Sequence, residues 1–320
     1  MVTRLAIILS AVFSVVPLII GCYGDVYEQK GLYGHVYYKN GVTPVACATV
    51  TATPAGIEAA PDAPAGTYVT TSGHSGYYVI WGLPEAEYIV TADKGAFHAE
   101  ARVTPYGWYE KNLLMEINDS EIGVVPGAND NVGVLLAALG YGYTTLTNAD
   151  LADQDKLAPL GMLFLNCGGD TSYASNADVQ NNLKSYVTDG GFLYASDYEF
   201  EYIEACWPDA ISFYGRDPYI GDRQTIEARV YDYDLERYLG RYYTYVTFDH
   251  SEWVVIDDVD ESTDVLVRGS FDTSEDSFVG KPLLVSFYDG NGIVIYTCFH
   301  DWGKNDKDIF FYIISLPPAS

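Results

Sequence analysis

Over residues 31–117, short runs in which apolar and polar residues alternate (32–38, 47–53, 77–81, 88–93, 99–103 and 112–117) are separated by Gly, Pro, Asn and Ser. Alternation with period two puts successive side chains on opposite faces. Each run therefore reads as a half-buried strand, and their spacing predicts a small antiparallel β-sandwich over residues 31–118. Near 118–120 the period changes. Residues 121–125 form a short β-rich run ending in Pro126-Gly127, and residues 131–139 set Val132, Leu135, Leu136 and Leu139 on one helical face. Strands are expected at 143–146, 161–166 and 192–195, with a helix at 179–187 between the last two. Such βα alternation predicts a flavodoxin-like parallel sheet flanked by helices over residues 119–320. An acidic, less regular stretch over 216–273 reads as an inserted β segment (225–230 and 242–248). The fold then resumes with strands at 283–288 and 292–297 and a closing helix at 307–315. The expectation is a two-domain chain, all-β followed by α/β, whose parts fold separately.

The N-terminus changes the compartment. Arg4 precedes an apolar run, residues 5–20, interrupted by Ser10, Ser14 and Pro17 and followed by Gly21-Cys22. This run has the length of a signal-peptide core and is short and kinked for a membrane-spanning helix. Ile19-Ile20-Gly21-Cys22 resembles the bacterial lipoprotein signal, with Ile20 where a small residue is more usual. The resemblance implies that residues 1–22 are a signal, that Cys22 carries lipid, that 23–30 is a tether, and that the protein is held at the membrane on the extracytoplasmic side.

Composition narrows the partners. Hydrophobic residues make up 48% of the chain and include 29 Tyr, enough apolar surface for folded domains. With 44 acidic against 17 basic residues, the net charge of −27 opposes binding to nucleic acid, which is excluded as a partner. Cys167, Cys206 and Cys298 either share one disulfide, as an exported protein permits, or remain buried thiols.

Within the first domain, Gly34-His35-Val36 with Gly41, Pro44-Val45-Ala46-Cys47-Ala48-Thr49-Val50, Thr71-Ser72-Gly73-His74-Ser75-Gly76-Tyr77-Tyr78 and Gly82-Leu83-Pro84-Glu85-Ala86-Glu87-Tyr88 occur in order. Together they resemble the carboxypeptidase regulatory-like, transthyretin-like sandwich, with Glu87 in place of the usual Gly. That resemblance implies a stalk, spacer or adhesive module without catalysis. His35, His74 and His98 lack ligand-like spacing and are expected at strand edges or on the surface rather than on a metal.

In the second domain, three apolar runs end in small or polar residues: Asn166-Cys167-Gly168-Gly169, Ser196-Asp197 and His300-Asp301. The carboxyl ends of parallel strands are where ligands sit. With Gly127 and Asn129 after the first strand, these segments resemble the class I glutamine amidotransferase-like superfamily, including its trehalose-utilisation-type branch. The resemblance implies an oxyanion loop at Gly168 and Gly169, a nucleophile position at Ser196 and a base at His300, with Asp301 where a nearby Glu is expected. Tyr194 and Tyr198 flank Ser196 where small residues expose a nucleophile, and no Gly follows. The expectation is accordingly lost catalysis and a binding pocket lined by Gly127, Asn129, Asp130, Cys167, Gly168, Gly169, Ser196, Asp197, His300 and Asp301. Its partner would be an envelope carbohydrate or a surface protein. The alternative is an exported hydrolase using Ser196 and His300, marked by an exposed Ser196 hydroxyl within reach of His300. Cys167 reads as a packed thiol rather than a nucleophile. The acidic residues Asp197, Glu199, Glu201 and Glu204, like Asp257-Asp258-Val259-Asp260-Glu261, lack the spacing of a calcium loop and read as solvated runs. Neither a metal nor a cofactor is expected.

Overall fold

The computed structural model describes residues 30–55, 66–300, 302 and 304–316. The first part is built of two four-stranded sheets. In one, Gly31–Tyr37 pairs antiparallel with Tyr77–Trp81 and parallel with Trp108–Glu110 and Leu113–Leu114. The parallel pairs correct the expectation of a wholly antiparallel sandwich. The other sheet runs Tyr68–Thr71, Thr49–Pro54, Tyr88–Lys94, Phe97–Val103, all antiparallel. Alternation does what it predicts: Leu32, Val36, Tyr78 and Ile80 from one sheet, and Val50, Ala52, Val90 and Ala92 from the other, are buried. Gly76 turns the chain into Tyr77–Trp81 with φ +74°, and a Cβ there would lie 2.4 Å from the Val36 carbonyl, so both backbone angle and space require glycine.

The second part is built on a nine-stranded sheet, with a separate two-stranded pair formed by Ile211–Phe213 and Ile256–Val259. Thr144–Thr145, Ile122–Val125, Met162–Leu165, Phe192–Ser196 and Gly292–Thr297 lie side by side and parallel. Every residue of the last four of these strands is buried, as strands covered on both faces should be. Helix Lys307–Ile313 covers one face, its Phe310 ring 6.2 Å from Phe164 and 6.4 Å from Tyr194. The sheet then continues antiparallel through Ser277–Asp289, Asp264–Asp272, Gln224–Val230 and Tyr243–Phe248. The β segment expected as an insertion is thus an extension of the same sheet. The long strand Ser277–Asp289 forms a hairpin with Gly292–Thr297, and its other edge accepts Asp264–Asp272, a strand hidden in the acidic composition of that stretch.

The two parts are packed against each other. The Tyr38 hydroxyl donates to the Phe311 carbonyl (2.8 Å), the Tyr141 hydroxyl to that of Met115 (2.8 Å), and the Asn40 N–H to that of Leu139 (2.8 Å). The Tyr38 ring lies 5.5 Å from Phe97, 6.4 Å from Tyr141 and 6.2 Å from Phe311. Separating the chain near residue 118 would put these rings in water. Expressed apart, residues 31–118 and 119–320 are each expected to melt below the joined chain. Melting temperatures unchanged by the separation would show that this contact contributes nothing.

Candidate functional site

Parallel pairing brings four strand ends to one edge of the sheet, with Leu165 beside Val125 and Ala195, and Ser196 beside Thr297. The turns that follow carry Gly127 to Asp130, Cys167 to Gly169, Asp197, and His300. The first two turns meet closely: Asn129 N–H donates to the Cys167 carbonyl (3.0 Å), and a Cβ on Gly127 would lie 2.1 Å from that same oxygen.

Ser196 is fully buried and still extended, with φ −125° and ψ 136°. Its hydroxyl accepts from the Cys167 N–H (3.1 Å) and donates to Asp130 Oδ2 (2.8 Å). Asp197 instead takes the turn between strand and helix, at φ +46°, a left-handed conformation that Asp tolerates better than most residues. The sharp turn therefore falls on Asp197, one residue after Ser196, because the strand runs through Ser196. This corrects the assignment of Ser196: its hydroxyl is committed to Asp130 and the Cys167 backbone. The oxyanion loop needs a similar correction, since the Gly169 N–H is bound to Glu199 Oε1 at 2.8 Å.

Asp197 is fully buried. Its Oδ1 accepts from the Val254 N–H (2.7 Å), while Oδ2 lies 3.6 Å from Cys167 Sγ and 3.3 Å from His300 Nδ1. His300, only 4% exposed, points Nε2 at Asp249 Oδ1 (3.2 Å), and Lys304 binds the other Asp249 oxygen at 2.7 Å. Neither His300 nitrogen makes a hydrogen bond among the described residues, despite these short approaches. The His250 ring is 5.2 Å from that of His300.

Burial pushes the Cys167 thiol up, and the Asp197 carboxylate adds to the effect, so a free thiolate is disfavoured. Burial also raises Asp197. At His300 burial works against the charged ring, but the Asp197, Asp130 and Asp249 carboxylates outweigh it and hold the imidazole above its ordinary value. Glu199 is pushed up to about 7, chiefly by burial, and its Oε2 has no partner among the described residues.

Of the residues expected to line a pocket, Gly127, Asn129 and Asp130 do so, with Trp302 and Lys307, in a cleft of about 350 Å³. Cys167, Ser196, Asp197 and His300 form a buried cluster instead. Gly168 sits beside it at φ +88°. Asp301 and Cys22 lie outside the described residues. The acidic run divides, correcting its reading as solvated. Glu199 is fully buried, whereas Glu201 and Glu204 line a separate cleft of about 570 Å³ with Arg216 and Tyr219. Asp257 is paired with Lys281. Cys167, Cys206 and Cys298 are free buried thiols, so the second of the two cysteine alternatives holds in this structure. His35 stacks on Tyr37, His74 stacks on Tyr238, and His98 pairs with Asp93, each apart from the cluster. Sequence reasoning missed Asp249 and His250. An Asp-His pair directly after a β run mirrors His300-Asp301 and was the available signal.

No protein-family model and no curated protein matches the chain. Among solved structures, it is similar to a candidate GMP synthase component from Thermoplasma acidophilum (16% identity, 60% of this chain and 91% of that one, TM-score 0.43). It is also similar to a candidate ThuA-like protein from Bacteroides uniformis (12% identity, 62% of this chain and 91% of that one, TM-score 0.42). A DUF3823 family protein from Parabacteroides merdae matches 27% of this chain and 45% of its own (19% identity, TM-score 0.22). The likeness is one of fold. The strand order above carries the architecture by itself.

Proposed function

We propose that this chain is an exported, lipid-anchored surface protein whose amidotransferase-like part serves in binding and performs no acyl transfer. One observation carries the reading: the hydroxyl expected to attack a substrate is buried, with Asp130 and the Cys167 N–H as its partners, and the neighbouring thiol is buried and held protonated. A nucleophile must reach both substrate and base. The binding surface is the cleft lined by Gly127, Asn129, Asp130, Trp302 and Lys307. Exposed aromatic rings on the sandwich suit sugar faces: Trp81 is 59% and Trp108 42% exposed, their centroids 4.6 Å apart. An envelope carbohydrate is the ligand class this combination favours, and the anchor is the lipid on Cys22.

The full chain incubated with an envelope glycan array, with and without calcium, is expected to capture glycans without cleaving them. Cys22→Ser should move the protein from the membrane fraction to the soluble one. Turnover of a glycan, ester or amide that is lost in both Ser196→Ala and His300→Gln would sink the binding reading. A hydrolase remains the second reading on one specific ground, the left-handed Asp197 at a strand-to-helix turn with His300 3.3 Å away. It predicts turnover abolished by Asp197→Asn and retained by Ser196→Ala.

A further inference from the structure

We propose that Cys167 Sγ, Asp197 Oδ2 and His300 Nδ1 form a transition-metal site of the zinc class. The three donors come from the ends of three neighbouring strands and lie within 4.8 Å of one another. Bonds of about 2.0 to 2.3 Å to a tetrahedral ion put ligand atoms about 3.3 to 3.6 Å apart. The separations here are 3.3 Å from Asp197 Oδ2 to His300 Nδ1 and 3.6 Å from Asp197 Oδ2 to Cys167 Sγ. A closed ion pair would leave the His300 Nδ1–H aligned on the carboxylate. Instead this nitrogen is buried and makes no hydrogen bond among the described residues, although the carboxylate is within reach.

What surrounds the three donors is the second observation. Metal-bound imidazoles present their other nitrogen to a carboxylate, and bound carboxylates and thiolates are themselves held by donors. His300 presents Nε2 to Asp249 at 3.2 Å, Asp197 spends Oδ1 on the Val254 N–H at 2.7 Å, and Asn129 Nδ2 approaches Cys167 Sγ at 3.7 Å. Asp197 thus keeps Oδ2 for the common centre while Oδ1 is held from outside, His300 turns Nε2 toward Asp249 and leaves Nδ1 beside the other two donors, and the Cys167 sulfur has an amide next to it. Asp249, His250 and His300 make a second candidate group. There the Lys304 ammonium already sits 2.7 Å from the Asp249 carboxylate, which assigns Asp249 the outer role.

The donor set chooses the ion. Sulfur and imidazole favour zinc-class metals over calcium or magnesium, which take oxygen ligands. A thiolate and a carboxylate neutralise a dication, so the buried centre carries no net charge. On binding, the Cys167 thiol proton leaves to solvent as the metal–sulfur bond forms. Three protein ligands leave a fourth position for water or a ligand group. The metal site does not depend on the binding role proposed above, and metal content is read without any organic ligand.

The full-length chain, purified in detergent, reconstituted with zinc and dialysed, is expected to retain one zinc per chain. Reconstituted with cobalt, it should show a near-ultraviolet thiolate-to-cobalt charge-transfer band, absent in Cys167→Ser and intact in Cys206→Ser. Asp249→Asn should weaken zinc affinity about 10- to 100-fold while keeping the band. Should Cys167→Ser fail to fold, the wild-type band and the Asp249→Asn affinity decide. A folded wild-type chain that shows no cobalt band and retains no zinc overturns the proposal. A band that survives in Cys167→Ser overturns it as well.

Discussion

Replacing Asp197 with alanine is expected to lower folding stability by about 3 to 5 kcal/mol, the cost of removing a buried carboxylate that a backbone N–H and a buried imidazole both face. The carboxylate is fully buried, and its loss strips the Val254 N–H of an acceptor and removes one of the two carboxylates beside the buried His300 ring. Most of the cost comes from groups left behind without partners in a site that water does not reach. Asp197→Asn should cost less, because an amide oxygen still accepts from Val254. Chemical denaturation of the two variants beside the wild type measures the difference. A loss under about 1 kcal/mol in Asp197→Ala would mean that water or a rearranged loop replaces the carboxylate.

Glu199 sets a pH dependence of opposite character to that of most carboxylates. Its folded value, about 7, lies above the ordinary value of 4.5 because burial penalises the charged form. A group raised on folding adds stability that is complete below its unfolded value and is lost as pH rises through its folded one. The contribution of Glu199 is therefore full near pH 4 and gone by about pH 8. The shift corresponds to about 3 kcal/mol. Glutamine mimics the protonated acid, keeps an oxygen for the Gly169 N–H, and does not ionise. Unfolding free energies of wild type and Glu199→Gln should thus converge in acid and separate by about 3 kcal/mol near pH 8, the variant being the more stable. Parallel curves across that range would show that Glu199 reaches solvent.

Both effects arise from side chains whose sequence context reads as a solvated acidic run. Asp197, Glu199, Glu201 and Glu204 read as one solvated run, yet the turn at Asp197 directs the first two inward and leaves the last two lining a cleft. Nothing in local spacing reports that turn, because a left-handed Asp is selected by what surrounds it. The Ser196 assignment failed for a related reason. Motif resemblance locates a strand end to within about a residue, and one residue exchanges the two faces of a strand.

Local pattern by itself determined where part of the elements lie. Strands Gly31–Tyr37, Tyr77–Trp81, Met162–Leu165 and Phe192–Ser196 and helix Ala177–Thr188 follow from period-two and helical alternation, since burial of one face is imposed residue by residue along the chain. The sheet edge that collects Gly127, Cys167, Asp197 and His300 was also legible, because parallel strands place all their carboxyl ends together. Pairing between distant strands was not. Only the tertiary structure decided that Asp264–Asp272 and the strands beyond it extend the same sheet, that Tyr38 packs between the two parts, and that Asp249 reaches His300. Those contacts join residues far apart in sequence, and their energy depends on shape and burial that exist only once both partners are in place.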